Sequence, residues 1–268
     1  METLLQTGAD LSTVMSIIRS YFNANGIHPE SHSLLIVGAG DDDTRVARSV
    51  GFTNITTSNI DGFGGHLALD AENMELPSDA FDIVFAHAVL HHCQSPHKAV
   101  LECIRVCRKH FIFVEPNDSL LMRAANRLKF HEPYEFPAVM AHNYEAGGLR
   151  NTAVPNYVYR WSGRDLRKTV ASGFPEREID IYVKHFFDFC VTACDLELRK
   201  TTRIGAITSI IGIDRFIRLL SLVQVLANSI PTVQKQGNHF FAGISKKGYK
   251  PWIQIVNGNP CMNRCTYQ

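Results

Sequence analysis

The chain has 268 residues, 45% of them hydrophobic, enough for one large core that carries insertions. Lys and Arg total 27 against 26 acidic residues, so neither a basic surface for nucleic acid nor an acidic solvating tail is expected. The start of the chain lacks the ordered charge, apolar run and cleavage site of a secretion leader, and the seven cysteines are scattered. The longest uncharged stretch, Leu219 to Gln234, is broken by polar residues and Pro. A cytoplasmic protein with reduced thiols and no membrane span is the expectation.

Asp10 to Asn25 predicts an opening helix, with Leu11, Val14, Met15, Ile18 and Phe22 on one stripe and Gly26 closing it. Ser33 to Val37 reads as a buried strand running into Gly38-Ala39-Gly40. Asp41, Asp42 and Asp43 open a helix through Val50, where carboxylates suit the positive end of the helix dipole. Asn54 to Ile60 is β-branched and strand-like, and a second short strand is expected near His66 to Leu69. Phe81 to His87 is another apolar run. Ser95 is the expected cap of a helix with Pro96 at its first position and Val100, Leu101, Ile104 and Cys107 inward. Phe111 to Val114 is a strand ended by Glu115-Pro116. Ser162 with Asp165 resembles a capping box on a helix closed by Gly173, and Ile179 to Phe187 and His239 to Ser245 read as strands. Strands alternating with helices at this spacing call for a mostly parallel sheet in an α/β fold. Residues 117–161 and 188–238 do not fit the sheet and are expected as insertions on a single domain spanning 1–268, with the core at 27–116 and a tail at 249–268.

A strand, a glycine loop and a helix bring backbone N–H groups to a place where a nucleotide can approach. The dinucleotide fingerprint wants Gly or Ala three residues after Gly40, where this chain has Asp43. Three carboxylates in succession would repel a pyrophosphate and favour a ligand with cationic groups. The plainer reading is that they only charge the start of the helix.

Leu34 to Gly40 resembles the first motif of class I methyltransferases. Leu69-Asp70-Ala71-Glu72-Asn73-Met74-Glu75-Leu76-Pro77 is similar to that family's adenine-contacting loop, and Phe81 to Phe85 with Leu90-His91-His92 to its fourth strand and following turn. Phe111 to Pro116 resembles its fifth strand, so the likeness covers residues 33–116 in the family's order. Arg150-Asn151-Thr152, Pro155 to Trp161 and Pro251-Trp252 look like methyltransferases of bacterial saccharide gene clusters. The resemblance implies a three-layer αβα, Rossmann-like fold with a seven-stranded sheet. It also implies S-adenosylmethionine, whose ammonium and sulfonium agree with the loop acids, as cofactor.

On the matching positions, Gly38, Ala39 and Gly40 would pass against the methionine and ribose part, with Asp41 facing the ammonium. The ribose needs an acceptor after the second strand. Asn59 stands where the family has an acid, and Asp61 is the nearest carboxylate, so Asp61 is favoured by charge with Asn59 beside it. Asp70 would accept from the adenine amino group, Ala71 N–H would meet a ring nitrogen, and Glu72 belongs to the same loop. Phe85, Ala86 and His87 would flank the sulfonium.

His87, His91, His92, Cys93 and His97 crowd together, yet no metal is expected, because adjacent His91 and His92 should point apart in a helical turn. Cys261 and Cys265 have a metal-knuckle spacing without a second pair, and a frayed tail is the plainer account. A hydroxyl acceptor needs a base, and His91 or His92 could serve; the alternative makes both packing residues. In the first insertion Tyr134, His142, Tyr144, Tyr157, Tyr159, Arg160 and Trp161 suit a sugar or phenolic ring, or an ordinary lid. The apolar stripe over residues 204–230 is expected as a lid or a homodimer face, with a peripheral membrane contact as the third reading. The expected function is methyl transfer to a small molecule, a saccharide or other secondary metabolite. The rivals are a non-catalytic S-adenosylmethionine-binding protein of the same fold and an NAD- or nucleotide-sugar-dependent enzyme.

Overall fold

The computed structural model describes residues 11–130, 133–189, 196 and 203–263. Asp10 and Cys265, named above, lie outside them.

Helix α1 (Ser12–Asn25) ends as expected on Gly26, which takes the left-handed conformation at φ 63°. Strand β1 (Ser33–Val37) runs into the glycine loop and α2 (Asp41–Ser49), then come β2 (Asn54–Asn59) and a two-residue β3 (Leu67–Ala68). Next are β4 (Phe81–His87), α3 (Pro96–Val106) and β5 (Cys107–Pro116). The strand β5 starts four residues earlier than the apolar run suggests. Cys107 is therefore its first residue and not a helix position, because α3 passes into it without a loop. The first insertion carries α4 (Leu120–Arg127) and α5 (Phe136–Ala141), followed by α6 (Gly163–Gly173) and β6 (Arg177–Phe186). The second carries α7 (Arg203–Ile211), α8 (Ile213–Ser229) and α9 (Pro231–Gln234), and β7 (His239–Tyr249) closes the sheet.

The seven strands lie in the order β3-β2-β1-β4-β5-β7-β6. Strands β1 to β5 pair in parallel, and β7 runs antiparallel between β5 and β6. Side-chain alternation divides the core in two. Leu35 and Val37 face α3 and α6, together with Val84, Phe111 and Phe113. Leu34 and Ile36 face α1 and α2, together with Ile83, Phe85 and Ile112. Helices thus cover both faces, the three layers the resemblance implies. Gly243 in β7 lets the Tyr21 ring of α1 lie on the strand: a Cβ there would come within 2.4 Å of that ring.

The tail is not frayed up to residue 262. Strands β8 (Ile253–Val256) and β9 (Asn259–Met262) form a hairpin, and Asn257 and Gly258 take φ of 52° and 79°. Asn-Gly is the strongest short hairpin signal because both residues must adopt positive φ. No helix among the described residues is long and apolar enough to cross a membrane.

Candidate active site

The ends of the parallel strands, where α/β sheets bind ligands, carry nearly every residue singled out from the sequence. After β1, Gly38 turns the chain at φ 64° and packs so closely on Val89 that an added Cβ would sit 2.1 Å from Val89 Cγ2. The loop's own amides are already engaged: Ala39 N–H donates to Ser58 O at 2.9 Å and Gly40 N–H to Asp43 Oδ2 at 2.8 Å. Asp43 is buried, and its other oxygen accepts from His87 Nδ1–H at 2.8 Å. Burial by itself would lower the His87 pKa, but the bond and charge of Asp43 outweigh it and raise the value. Asp41 stays exposed at the start of α2.

Asn59 ends β2 and ties it to the loop by donating to Ala39 O at 3.2 Å. Asp61 is exposed, accepts from Phe63 N–H at 3.0 Å, and is reached by the Asn151 amide at 3.0 Å. Asp70 accepts from Glu72 N–H at 2.9 Å and from Arg150 Nη2 at 3.0 Å. Burial would raise its pKa, but these donors hold it below the ordinary carboxylate value. The Ala71 N–H beside it meets no acceptor among the described residues. Residues 149–151 therefore lie over the loops after β2 and β3, with Arg150 and Asn151 both at positive φ. In the sequence Arg150 and Asn151 carry only the likeness to saccharide-cluster methyltransferases, which implies no contact for them.

Three of the expected cofactor residues are placed otherwise. Glu72 is buried and accepts from Ser95 N–H at 2.7 Å and Gln94 N–H at 3.1 Å. It thereby supplies the cap that the Ser95 side chain does not make. Phe85 and Ala86 are core residues on opposite faces of the sheet, so only His87 of that trio reaches the strand end.

Beyond β4, Leu90–His92 form a single 3₁₀ turn. Buried Glu115 at the end of β5 fixes it, accepting from Val89 N–H at 2.9 Å, Leu90 N–H at 2.7 Å and His91 Nδ1–H at 2.6 Å. His91 Nε2 lies 3.1 Å from Glu135 Oε2, so both ring nitrogens face carboxylates. Burial opposes the charge, yet Glu115 and Glu135 together push the His91 pKa up to about 10. With no free lone pair His91 cannot take a proton from an acceptor, and the base reading fails for it. His92 Nε2 also faces Glu135 Oε2, at 3.3 Å, while His92 Nδ1 donates to Gly148 O at 3.3 Å. Burial and the neighbouring His91 push its pKa down. The two histidines do not point apart: a 3₁₀ turn sets their rings 4.5 Å apart with both Nε2 atoms toward one carboxylate. Neither Glu115 nor Glu135 stood out in the sequence as a site residue. An acid closing a parallel strand was the signal for the first; nothing marked the second.

Glu135 is delivered by a short antiparallel pairing of Tyr134 with Tyr157. Alternation turns Glu135 and buried Asn156 inward and leaves Tyr134 and Tyr157 exposed, their rings 5.7 Å apart. Trp161 is a core residue instead of a substrate contact, fully buried against Phe113 and His97, and the Tyr159 hydroxyl meets His97 Nε2 at 3.1 Å. In the second insertion Ile210, Leu222, Val225 and Leu226 are exposed, while Asn228 and Gln224 bond the backbone after β6.

Residues 52–114, from the residues before β2 to the end of β5, match the family model described as a methyltransferase domain. That stretch, about a quarter of the chain, is similar to a methyltransferase domain. The seven-stranded order with an antiparallel β7 agrees, whereas the dinucleotide fold has six parallel strands. The methyl donor of that family is S-adenosylmethionine. Among curated proteins none matches the chain. The YcgJ protein of Bacillus subtilis is similar at 16% identity and a TM-score of 0.45, over 89% of this chain and 98% of its own. The 1,6-didemethyltoxoflavin-N1-methyltransferase of Burkholderia thailandensis is similar at 12% identity and a TM-score of 0.43, over 92% of this chain and 82% of its own. Neither is similar enough to assign an acceptor.

Proposed function

We propose that this methyltransferase domain acts on a small molecule, a saccharide or another secondary metabolite, held between the His91-His92 turn and the insertion after β5. The observation that carries the reading is the excess of carboxylates at these strand ends, Asp41, Asp61 and Asp70 with the cation Arg150 paired to Asp70, beside a glycine loop whose Ala39 and Gly40 amides are occupied. Such an excess favours a cationic nucleoside over a pyrophosphate, which also counts against the NAD and nucleotide-sugar readings. S-adenosylmethionine fits there once Arg150 and Asn151 release Asp70 and Asp61: Asp70 and the unpaired Ala71 N–H would then meet adenine, Asp61 or Asn59 the ribose, and Asp41 the ammonium. When bound it supplies an activated methyl group. The chain's share is to orient the two partners and exclude water, which lowers the barrier of a displacement. Polar Glu135 and Asn156, turned inward from the insertion, support a polar, sugar-like acceptor. With His91 saturated, any base role falls to His92.

Calorimetry with S-adenosylhomocysteine tests the cofactor contacts. Asp70→Ala and Asp61→Ala should each weaken binding by about 1.5–3 kcal/mol, roughly 10- to 150-fold, the range for a hydrogen bond to a charged group. Binding of NADH with no response to S-adenosylhomocysteine would overturn the reading. A loss with Asn59→Ala and none with Asp61→Ala would move the ribose contact to Asn59.

A further inference from the structure

We propose that His91, His92 and Glu135 form a site for a divalent transition metal of the zinc type, assembled between the turn after β4 and the insertion after β5. Their three ligand atoms lie within 4.8 Å of one another. The two imidazole Nε2 atoms stand 3.1 and 3.3 Å from Glu135 Oε2. A tetrahedral ion with bonds of about 2.0–2.1 Å needs ligand atoms about 3.3 Å apart, so these separations already match its edges.

The far side of each imidazole is tethered as in metal-bound histidines. His91 Nδ1–H donates to Glu115 and His92 Nδ1–H to Gly148 O; the metal would take the place of the His91 Nε2 proton, which is released to solvent, and Glu135 Oε2 itself also accepts from Asn156 Nδ2 at 3.2 Å. With its proton committed to Gly148, His92 keeps a lone pair on Nε2, 3.3 Å from the carboxylate oxygen. Two electron pairs at that distance repel, and a cation between them turns the repulsion into coordination. A neutral His92 has one N–H, so that contact is answered either by a second proton on the ring or by a metal ion.

Buried His91, Glu115 and Asn156 make a rigid floor, while the side chains of His92 and Glu135 keep 24% and 33% of their surface exposed. That leaves an open coordination position on one side, the arrangement of a reactive site and not of a closed structural one. Two imidazoles and one carboxylate favour zinc, cobalt or ferrous ions over magnesium and calcium, which take oxygen ligands. An acceptor hydroxyl at the open position would bind in its more acidic, metal-held form. That role rests on the methyl-transfer reading; the site itself does not.

The test uses the full chain without an affinity tag, stripped by a chelator. Zinc is titrated by calorimetry and cobalt by visible absorption, with S-adenosylhomocysteine affinity and circular dichroism measured on every variant. One equivalent of each metal is expected, with a cobalt spectrum of low coordination number. His92→Asn and Glu135→Gln should each weaken zinc at least about 10-fold, and Glu115→Gln, which removes a ligand's tether, by 10- to 100-fold. Metal affinity unchanged in both His92→Asn and Glu135→Gln, or no stoichiometric binding by the wild type, overturns the site. Should Glu115→Gln fail to fold, the cobalt spectrum of His92→Asn decides. Zinc binding without any response to S-adenosylhomocysteine leaves the site standing and removes the methyl-transfer reading; the reverse result removes only the site.

Discussion

Glu72 separates a cofactor contact from a structural brace, since it lies in the loop that resembles the adenine-contacting motif yet is only 6% exposed. Its carboxylate accepts the N–H groups of Gln94 and Ser95, the two residues before α3, and an Arg150 guanidinium N–H at 2.9 Å. Replacement by Ala leaves two backbone donors at a helix start without acceptors and removes a negative charge from the positive end of the helix dipole. Each hydrogen bond to a charged group is worth about 1.5–3 kcal/mol. The Arg150 pair, on the exposed side, adds roughly 0–1 kcal/mol. Partial entry of water offsets some of this, so Glu72→Ala should destabilise the fold by about 3–5 kcal/mol. For a chain of this size that is a fall in Tm of roughly 6–20 °C. Glu72→Gln keeps one acceptor oxygen and should cost about 1–2 kcal/mol. Thermal unfolding gives the first quantity and S-adenosylhomocysteine calorimetry the second. The brace predicts lost stability with cofactor affinity of Glu72→Gln within about 3-fold of wild type. A variant pair that melts with the wild type but binds the ligand 10-fold more weakly would refute it.

His87 gives a pH dependence. Its folded pKa is raised above about 6.5 by Asp43, with Glu115 and Asp188 adding charge, so its contribution is complete below that pH and is lost as pH rises through the folded value. The Tm gap between wild type and His87→Asn should therefore shrink from pH 6 toward alkaline pH, and a gap that widens would contradict the assignment. Gly38→Ala combines a left-handed φ with a Cβ 2.1 Å from Val89, whereas Gly40, at φ −101°, meets only Asp43 Oδ2 at 3.5 Å. The first should cost roughly 2–5 kcal/mol and the second under about 1 kcal/mol, read from urea unfolding midpoints; equal losses would refute the Val89 contact.

The sequence by itself determined the sheet and its helices, because hydrophobic period and punctuation are local. Leu34 to Val37 alternate between two cores, Gly26 and Gly38 mark positive φ, and Ser162 caps its helix by accepting from Asp165 N–H, the half of the expected capping box that forms. It also located the strand ends that carry the candidate site residues, since motif order follows strand order. What only the tertiary structure decided are the partners. Glu72 caps a helix that begins 24 residues later, and Glu115 and Glu135 close on His91 from another strand and from an insertion. Burial likewise settled Phe85, Ala86 and Trp161 as core, though each stands in a motif-like run. Side-chain pairing across tens of residues leaves no period in the sequence, and a carboxylate's role depends on which donors the fold brings to it.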